Sequence, residues 1–505
     1  MLRNFERIKY FGELKRSGYK SFPVKEEMRN NLIDILQNNK NPFQSIIGYD
    51  ETVIPDIQTA ILSRHNIILL GLRGQAKTKI ARLMINLLDE YIPIIAGSEL
   101  NDDPFYPLSK YGKDKIAELG DETLIDWVHK NDRYTEKLAT PDVTIADLIG
   151  DVDPIKAATL KLQYSDERVI HFGLIPRSHR GIFVINELPD LQARIQVALF
   201  NILQEKDVQI RGFKIRLPLD VQFIFTANPE DYTNRGAIVT PLKDRIDSQI
   251  LTHYPKSLEI SKNITIQEAK ITSEQKRQIY VPELIKNLIE QIAFEARISE
   301  FVDSKSGVSA RLTISALENI ISYAERRLLI NRESETTVRI SDLIGVIPSI
   351  TGKVELVYEG EQEGPVKVAH ILIGKSIKTN FAAMFQNPDK IKRKTEKNPY
   401  QEIIHWFANG NTVDIFNNLS NDSYKNTLLS VKGLKDFIQK VYPGESENDK
   451  LLLMEFVLHG LSEYSMLSKH YLEFGLKFGD MLSSMFTPSE EEDYESDDNS
   501  SFDKI

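Results

Sequence analysis

The chain has 505 residues, of which 41% are hydrophobic and 27% are charged, and both values are ordinary for a water-soluble globular protein. It contains no cysteine, which excludes disulfides, cysteine-ligated zinc and iron–sulfur clusters. The formal net charge of −10 is concentrated between Ser489 and Ile505, so the rest of the chain is neither strongly acidic nor strongly basic and does not indicate a nucleic-acid partner.

The beginning of the chain has no apolar stretch of the kind found in a secretory signal. No apolar run approaches the ~18 residues that a membrane helix needs. We therefore expect a cytoplasmic protein without a membrane partner. Residues 1–44 are polar and follow a helical pattern.

A glycine-rich stretch, "GLRGQAKT", follows the apolar run "NIILL" and precedes the helical pattern "TKIARLMINLLDEY". Strand, loop and helix in this order are the context that a phosphate-binding loop requires. In such a loop, backbone N–H groups surround phosphates, the lysine reaches the β- and γ-phosphates, and the hydroxyl ligates Mg²⁺. Ala76 takes the place where the consensus has glycine. The candidate nucleotide-binding residues are Gly71, Gly74, Gln75, Ala76, Lys77 and Thr78.

Four more apolar runs of strand length follow, with helical patterns between them. Strands that alternate with helices predict a largely parallel sheet covered by helices on both faces. A polar insert, from Ser98 to about Thr140, separates the first of these runs from the next ordered pattern. The runs are Tyr91–Gly97, Gly181–Glu187, Val221–Pro229 and Ser248–Pro255.

Polar residues stand where these predicted strands end. Glu187 follows one strand, where nucleotide hydrolases need a carboxylate to orient the attacking water, and Asn228 follows the next, where an amide can bridge that water and the γ-phosphate. Downstream, Arg245 and Arg311 offer guanidinium groups that can stabilise the charge of phosphoryl transfer. We therefore expect Glu187, Asn228, Arg245 and Arg311 to be the catalytic residues.

The later part of the chain is helical by pattern, apart from a Gly/Glu-rich stretch, "VELVYEGEQEGP". The final residues read as a disordered acidic tail. The pattern predicts five segments: an N-terminal helical segment (1–44), an α/β nucleotide-binding core (45–256), a helical domain (257–351), a mainly helical C-terminal region (352–487) and the acidic tail (488–505).

Taken together, these motifs resemble the AAA+ ATPases, and within them the branch that contains the MoxR ATPases, the magnesium-chelatase I subunit and the MCM helicases. "GQAKT" matches their G-x-A-K-[ST] loop, in which alanine commonly precedes the lysine. "GLIPRSHRGIFVINEL", "EKDVQIRGFKIRLPLDVQFIFTANPED" and "PLKDRID" resemble further segments of these proteins. The resemblance covers roughly Gln44 to Ile350, and Val169–Gly181 would contain the helix-2 insert of this branch.

The resemblance implies a P-loop core with a five-stranded parallel sheet between helices, a helical lid at 257–351, ATP and Mg²⁺ as cofactors, and a ring of subunits, expected to be a hexamer. Carried over by position, Lys77 and Thr78 belong to Walker A, Glu187 is the Walker B base, Asn228 is sensor 1, Arg245 is the arginine finger and Arg311 is sensor 2.

The main departure from the family is Asn186, where aspartate is usual beside the magnesium ion. The residues expected at the Mg²⁺ ion are Thr78 and Asn186, of which Asn186 lacks the negative charge of the usual aspartate. Because a negative charge is missing, the Mg²⁺ site should be weaker, and we expect slow or partner-dependent hydrolysis.

The resemblance favours a motor that remodels a protein complex or assists metal insertion together with a separate protein bearing a von Willebrand factor A domain. Three alternatives remain open. One is the true magnesium-chelatase motor of tetrapyrrole synthesis, and another is an ATP-binding scaffold with little turnover. The third is an MCM-like nucleic-acid motor, which is disfavoured because alternating charges on a hairpin usually form a solvated face; the basic residues concerned are Lys206, Arg211, Lys214 and Arg216.

Overall fold

The computed structural model describes residues 8–161, 163, 166–205, 207–210, 216–228, 237–391 and 398–481. The chain divides into two compact units: unit 1 comprises Met1–Ile264 and Ser304–Ala310, and unit 2 comprises Thr265–Asp303 and Arg311–Ile505. In the described part of the chain, no helix combines the length and apolar character needed to cross a membrane. The predicted acidic tail, 488–505, lies outside the described residues.

Unit 1 is built around a five-stranded parallel sheet with the strand order β11-β1-β10-β7-β4. Every residue of β1, β7 and β10 is buried, as expected for central strands of a parallel sheet with helices on both faces. The described strands of unit 1 are β1 (Ile67–Leu70), β2 (Tyr91–Ile95), β3 (Ile125–His129), β4 (Tyr134–Leu138), β5 (Gly150–Val152), β6 (Ile170–Phe172), β7 (Gly181–Asn186), β8 (Asp207–Gln209), β9 (Arg216–Pro218), β10 (Val221–Ala227) and β11 (Ser248–Leu251).

The membership of the sheet differs from the prediction at one strand. The run Tyr91–Gly97 does contain a strand, but β2 pairs antiparallel with β3 outside the central sheet. The fifth place belongs to β4, inside the segment predicted to be a polar insert, and β4 pairs parallel with β7. An edge strand contacts only one neighbouring strand, and β4 is only partly buried, so its sequence "YTEKL" carries no apolar run that would reveal it.

Two layers of apolar side chains cover the two faces of the sheet. Successive residues of a strand point to opposite faces, so Phe183 belongs to one layer and Val184 to the other. Met28 and Leu32 of the helix Val24–Gln37 pack in the layer of Val184, so the N-terminal helix is part of the core. The helices of unit 1 are Phe11–Arg16, Val24–Gln37, Val53–Leu62, Lys77–Leu83, Lys110–Leu119, Ile145–Leu148, Pro154–Leu160, Leu174–Arg177, Ala193–Glu205 and Thr240–Asp244, and Leu258–Glu268 continues into unit 2.

Two short antiparallel pairs lie close to segments that carry the family resemblance. β5 pairs with β6 close to the predicted helix-2 insert, and β8 pairs with β9 ahead of β10. The nucleic-acid alternative depends on four basic residues of the hairpin, whose side chains lie outside the described part of the chain, so it stays a prediction. These residues are Lys206, Arg211, Lys214 and Arg216.

Unit 2 is mainly helical, with a three-stranded antiparallel sheet of order β14-β16-β15 and a short parallel pair, β12 with β13. Buried Glu455 accepts hydrogen bonds from the backbone N–H groups of Ile340 and Ser341, both at 2.9 Å, so residues on both sides of position 351 pack within this unit. Its strands are β12 (Ile279–Tyr280), β13 (Thr336–Thr337), β14 (Val413–Phe416), β15 (Ser468–Leu472) and β16 (Gly475–Gly479). Its helices are Ser273–Gln278, Glu283–Ile298, Arg311–Asn331, Ile347–Thr351, Tyr358–Glu363, Pro365–Met384, Pro388–Ile391, Gln401–Ala408, Asn421–Leu429, Leu434–Val441 and Glu447–Glu463.

Candidate nucleotide-binding site

The glycine-rich loop joins the carboxyl end of β1 to the helix Lys77–Leu83. Two of its glycines are held so closely that a side chain would not fit. A Cβ atom on Gly71 would overlap the hydroxyl of Thr252, and one on Gly74 would overlap the hydroxyl of Ser309. Gly74 also has φ +75°, a left-handed conformation that favours glycine. The loop therefore requires glycine at position 74, while at position 71 a side chain would displace the side chains of Thr252 and Gln75.

Ala76 directly precedes the helix and has φ 58° and ψ 13°, in the left-handed region. A residue with a Cβ atom costs roughly 1–2 kcal/mol there, and glycine has no such cost. The loop therefore keeps a backbone conformation that suits the consensus glycine, although alanine occupies the position.

Lys77 is the first residue of the helix, and its side chain is buried against its own loop. Its ammonium group donates to the carbonyl oxygens of Gly71 and Leu72, the latter at 3.1 Å. Thr78 follows as the second helical residue and is partly exposed. The loop itself therefore positions the charged group that is expected to contact phosphates.

Residues that the sequence does not single out hold the loop in place. The hydroxyl of Thr252, just after β11, donates to Oε1 of Gln75 at 2.7 Å. The hydroxyl of Tyr49 lies 3.1 Å from the carbonyl oxygen of Gln75 and 2.7 Å from that of His253, and its single proton can be donated to either; burial raises the pKa of Tyr49 to about 12. Tyr254 donates to the carbonyl oxygen of Arg73 at 3.0 Å. An isolated threonine or tyrosine in the sequence gives no sign of such a role.

Asn186 ends β7, is buried, and uses both atoms of its amide. Its Nδ2 donates to Oε1 of Glu136 at 2.7 Å, and its Oδ1 accepts from the hydroxyl of Thr226 at 3.1 Å. The backbone N–H of Glu187 donates to the same Thr226 hydroxyl at 3.1 Å. Glu187 itself has φ 54°, in the left-handed region. The side chains of three neighbouring strands, β4, β7 and β10, thus meet next to the expected general base.

Glu136 is an ionised carboxylate at the edge of this group. Arg82 donates to both of its oxygens, at 2.8 and 3.0 Å, and the hydroxyl of Tyr134 donates to Oε2 at 3.1 Å. The hydrogen bond from Arg82 is the largest of the effects that hold the pKa of Glu136 below its ordinary value. Glu136 could not be predicted as a neighbour of Asn186, because the strand that carries it is polar and has no apolar run.

Asn228 directly follows β10, which lies between β1 and β7 in the sheet. Its side chain is buried, and its Oδ1 atom has no hydrogen-bond partner among the described residues. Buried amide oxygens are normally paired. This atom therefore fits a ligand that donates a hydrogen bond, such as a water molecule held near a phosphate.

The two arginines lie on other elements. Arg245 follows the helix Thr240–Asp244; its Nε donates to Gln204 at 3.0 Å, and its guanidinium lies 5.1 Å from the ring centre of Phe200. In the described part of the chain, no hydrogen bond or ion pair joins Arg245 to the loop 71–78. Arg311 is the first residue of the helix Arg311–Asn331 in unit 2. The roles assigned to both arginines stay predictions.

The carboxyl edge of the parallel sheet thus gathers the loop, Lys77, Glu187 and Asn228, and this is the edge where open α/β sheets bind ligands. No group of three or more His, Asp or Glu side chains that could hold a metal ion occurs among the described residues. Mg²⁺ commonly binds through one or two protein groups together with substrate phosphates. The hydroxyl of Thr78 beside the loop therefore fits a magnesium ion held by a nucleotide rather than an all-protein metal site.

Residues 111–246 match a family model, the AAA domain of the dynein-related subfamily. The chain therefore contains an AAA+ ATPase domain. Together with the five-stranded parallel sheet and the helical C-terminal part, this match confirms the predicted AAA+ P-loop fold. The narrower assignment to the MoxR branch stays a prediction.

Several solved structures are similar to this chain at low sequence identity. NtrX from Brucella abortus is 14% identical over 60% of this chain and 57% of its own length, so the chain spans little more than half of that relative, with a TM-score of 0.33. A chain in a complex of the magnesium-chelatase subunits BchI and BchD is 16% identical over 64% of this chain and 98% of its own length, with a TM-score of 0.31. A variant of RuvB from Thermotoga maritima is 10% identical over 76% of this chain and 89% of its own length, with a TM-score of 0.34.

Proposed function

We propose that the protein is a Mg²⁺-dependent ATP-hydrolysing motor of the MoxR and magnesium-chelatase-I type. The observation that supports hydrolysis is the buried Oδ1 of Asn228, which has no hydrogen-bond partner among the described residues and lies at the end of the strand between the loop and Glu187. An acceptor at that position suits a water molecule that attacks a phosphate.

Each residue of the site has a distinct role in this proposal. Lys77 contacts the β- and γ-phosphates, and the Thr78 hydroxyl holds the Mg²⁺ ion, which when bound neutralises charge on the phosphates. Glu187 accepts a proton from the attacking water, and Asn228 orients that water. Arg245 would act on the nucleotide of a neighbouring subunit.

We further propose a ring, expected to be a hexamer, that works with a separate protein bearing a von Willebrand factor A domain and remodels a protein complex or assists metal insertion. The support is the resemblance of "GQAKT" and "GLIPRSHRGIFVINEL" to the MoxR and chelatase motors. The remodelling role requires ATP-driven movement, so it depends on the hydrolysis proposed above.

Hydrolysis is tested by measuring phosphate release from ATP with and without Mg²⁺, for the wild type and for Glu187→Gln and Asn228→Ala. We expect both variants to bind ATP with the wild-type affinity and to lose activity, by roughly a hundredfold for the loss of a general base. Glu26→Gln, which removes an ion pair with Arg64, is a matched control and should leave activity unchanged. The ATPase proposal fails if the wild type, in the presence of its partners, releases no more phosphate than Glu187→Gln.

The partner is tested by affinity purification with Glu187→Gln, which should hold ATP-bound assemblies together. Recovery of a von Willebrand A protein that is absent when ATP is omitted would support the proposal. Recovery of an intact ring without any such protein would contradict the partner assignment and leave the ATPase assignment standing.

A further inference from the structure

The carboxylate beside Asn186 comes from the neighbouring edge strand. In the register of β4 and β7, Leu138 lies opposite Asn186, so Glu136, two residues before Leu138, points to the same face of the sheet. Its Oε1 accepts the hydrogen bond of 2.7 Å from Nδ2 of Asn186. We propose that Glu136 is a positioning residue of the nucleotide site, and that Asn186 is the amide that this carboxylate requires rather than a lost acid. This inference rests on the proposed ATPase function.

The hydrogen bonds around Asn186 all run in one direction. The N–H of Glu187 donates to the Thr226 hydroxyl, that hydroxyl donates to Oδ1 of Asn186, and Nδ2 of Asn186 donates to Glu136. An amide can accept on one side and donate on the other, whereas an ionised aspartate has no donor. Glu136 therefore fixes the Asn186 amide and, through Thr226, the left-handed turn that presents Glu187.

The same carboxylate is connected to the nucleotide loop. Arg82, which donates twice to Glu136, lies in the helix that begins with Lys77. A bidentate arginine–carboxylate pair fixes geometry as well as charge. Glu136 thus links the helix that carries the phosphate-binding lysine to the strand end that carries the general base.

An aspartate at position 186 would disturb this arrangement. One of its oxygens would take the place of Nδ2, 2.7 Å from Oε1 of Glu136. Two carboxylates so close cannot both ionise easily, because each raises the pKa of the other. If Glu136 is also changed to glutamine, the acid and the amide exchange places, and the hydrogen bond can form again in the opposite direction.

The test compares the wild type with Glu136→Gln, Asn186→Asp and the double variant. Glu26→Gln is the matched control, since Glu26 also pairs with an arginine and is partly exposed to a similar degree. For each protein, kcat, KM for ATP, the Mg²⁺ concentration for half-maximal activity and the midpoint of thermal unfolding are measured. We expect Asn186→Asp to lower kcat by at least about tenfold, with a smaller change in KM, and the double variant to recover to within about threefold of the wild type.

Three results would overturn the proposal. The first is an Asn186→Asp variant as active as the wild type or more active. The second is additivity of the two substitutions in kcat. The third is a coupling seen only in the unfolding midpoint, which would indicate a purely structural pair. If the wild type itself has no Mg²⁺-dependent turnover, the ATPase proposal fails, and the pairing of Glu136 with Asn186 is still decided by whether the shifts in unfolding midpoint are additive.

Discussion

The hydroxyl of Thr252 donates to Oε1 of Gln75 across 2.7 Å, and both side chains are buried. This bond ties the end of β11 to the nucleotide loop. Thr252→Val keeps the shape of the side chain and leaves the Gln75 oxygen without this donor, at a cost of about 1–3 kcal/mol. We expect a lower unfolding midpoint and a KM for ATP raised severalfold, since the loop is less well fixed.

Ser178→Ala is a control for this prediction, because it removes another buried hydroxyl of unit 1, which donates to the carbonyl oxygen of Leu174 at 2.8 Å. It should lower the unfolding midpoint and leave the KM for ATP unchanged. An unchanged KM in Thr252→Val would mean that Thr252 stabilises the fold without shaping the loop.

Ala76→Gly should stabilise the protein slightly or leave its stability unchanged. Relief of the left-handed alanine is worth roughly 1–2 kcal/mol, and the greater freedom of glycine in the unfolded chain offsets about 0.4–1 kcal/mol of it. Ala198→Gly, inside the helix Ala193–Glu205, should instead cost about 1 kcal/mol. Chemical unfolding of the two variants gives the comparison, and equal destabilisation by both would show that Ala76 carries no strain.

The fold could be predicted from the sequence wherever a strand is central. β1, β7 and β10 are buried on both faces, so each is a continuous apolar run. β4 was not predicted, because an edge strand needs no such run. The run Tyr91–Gly97 was predicted as a strand of the central sheet instead, but it pairs with β3. Ile92, Ile94 and Ile95 of β2 are buried although β2 pairs with β3 outside the central sheet. A pattern of hydrophobic residues cannot distinguish this from a strand of the central sheet.

The site was predictable to the same extent. Its loop and its strand ends follow motifs of fixed spacing, so the sequence offered Lys77, Glu187 and Asn228 as candidates, and their roles stay predictions. Glu136 and Thr252 were not found, because each reaches the site only through the three-dimensional pairing of strands far apart in the chain. For the same reason, the hydrogen bond between Asn186 and Glu136 could not be predicted, and the expected weakening of the Mg²⁺ site by Asn186 stays a prediction.

A buried ion pair fixes the helix Val24–Gln37 within unit 1. Arg133 donates to both oxygens of Glu27, at 2.7 and 2.6 Å, and both side chains are buried. Glu27→Gln leaves a buried guanidinium without its counter-charge, which costs about 3–5 kcal/mol. We expect a large loss in the free energy of unfolding, measured by urea denaturation. Glu118→Gln, which breaks an exposed pair with Lys115, should cost less than about 1 kcal/mol.

The double variant Glu27→Leu with Arg133→Met tests the cause of this loss. If the cost of Glu27→Gln comes from the unpaired charge, removal of both charges should restore much of the stability. A double variant that is destabilised by the sum of the single effects would show that the packing of the two side chains, not their charge, is what matters.

His179 predicts a loss of stability in acid. Its Nδ1 accepts the backbone N–H of Asp220 at 3.0 Å, so the ring must be neutral at that nitrogen, and burial, with a smaller effect of Arg180, lowers the pKa of His179 to about 4. Between pH 6.5 and 4 the unfolded chain therefore binds the proton more readily than the folded protein. The contribution of His179 is fully present above pH 6.5 and falls as the pH is lowered, by up to about 3 kcal/mol.

Asp220 acts in the opposite direction, because burial raises the pKa of its carboxyl from the ordinary value of 3.8 to about 6. Between pH 6 and pH 3.8 the folded protein therefore binds this proton more readily than the unfolded chain does. The pH dependence of the wild type alone is therefore a difference of two effects. His179→Asn isolates one of them, since its amide oxygen can accept the same N–H without titrating. Urea denaturation from pH 7.5 to pH 4 should show the wild type losing stability relative to this variant, and a constant difference across that range would mean that His179 is not held neutral by the fold.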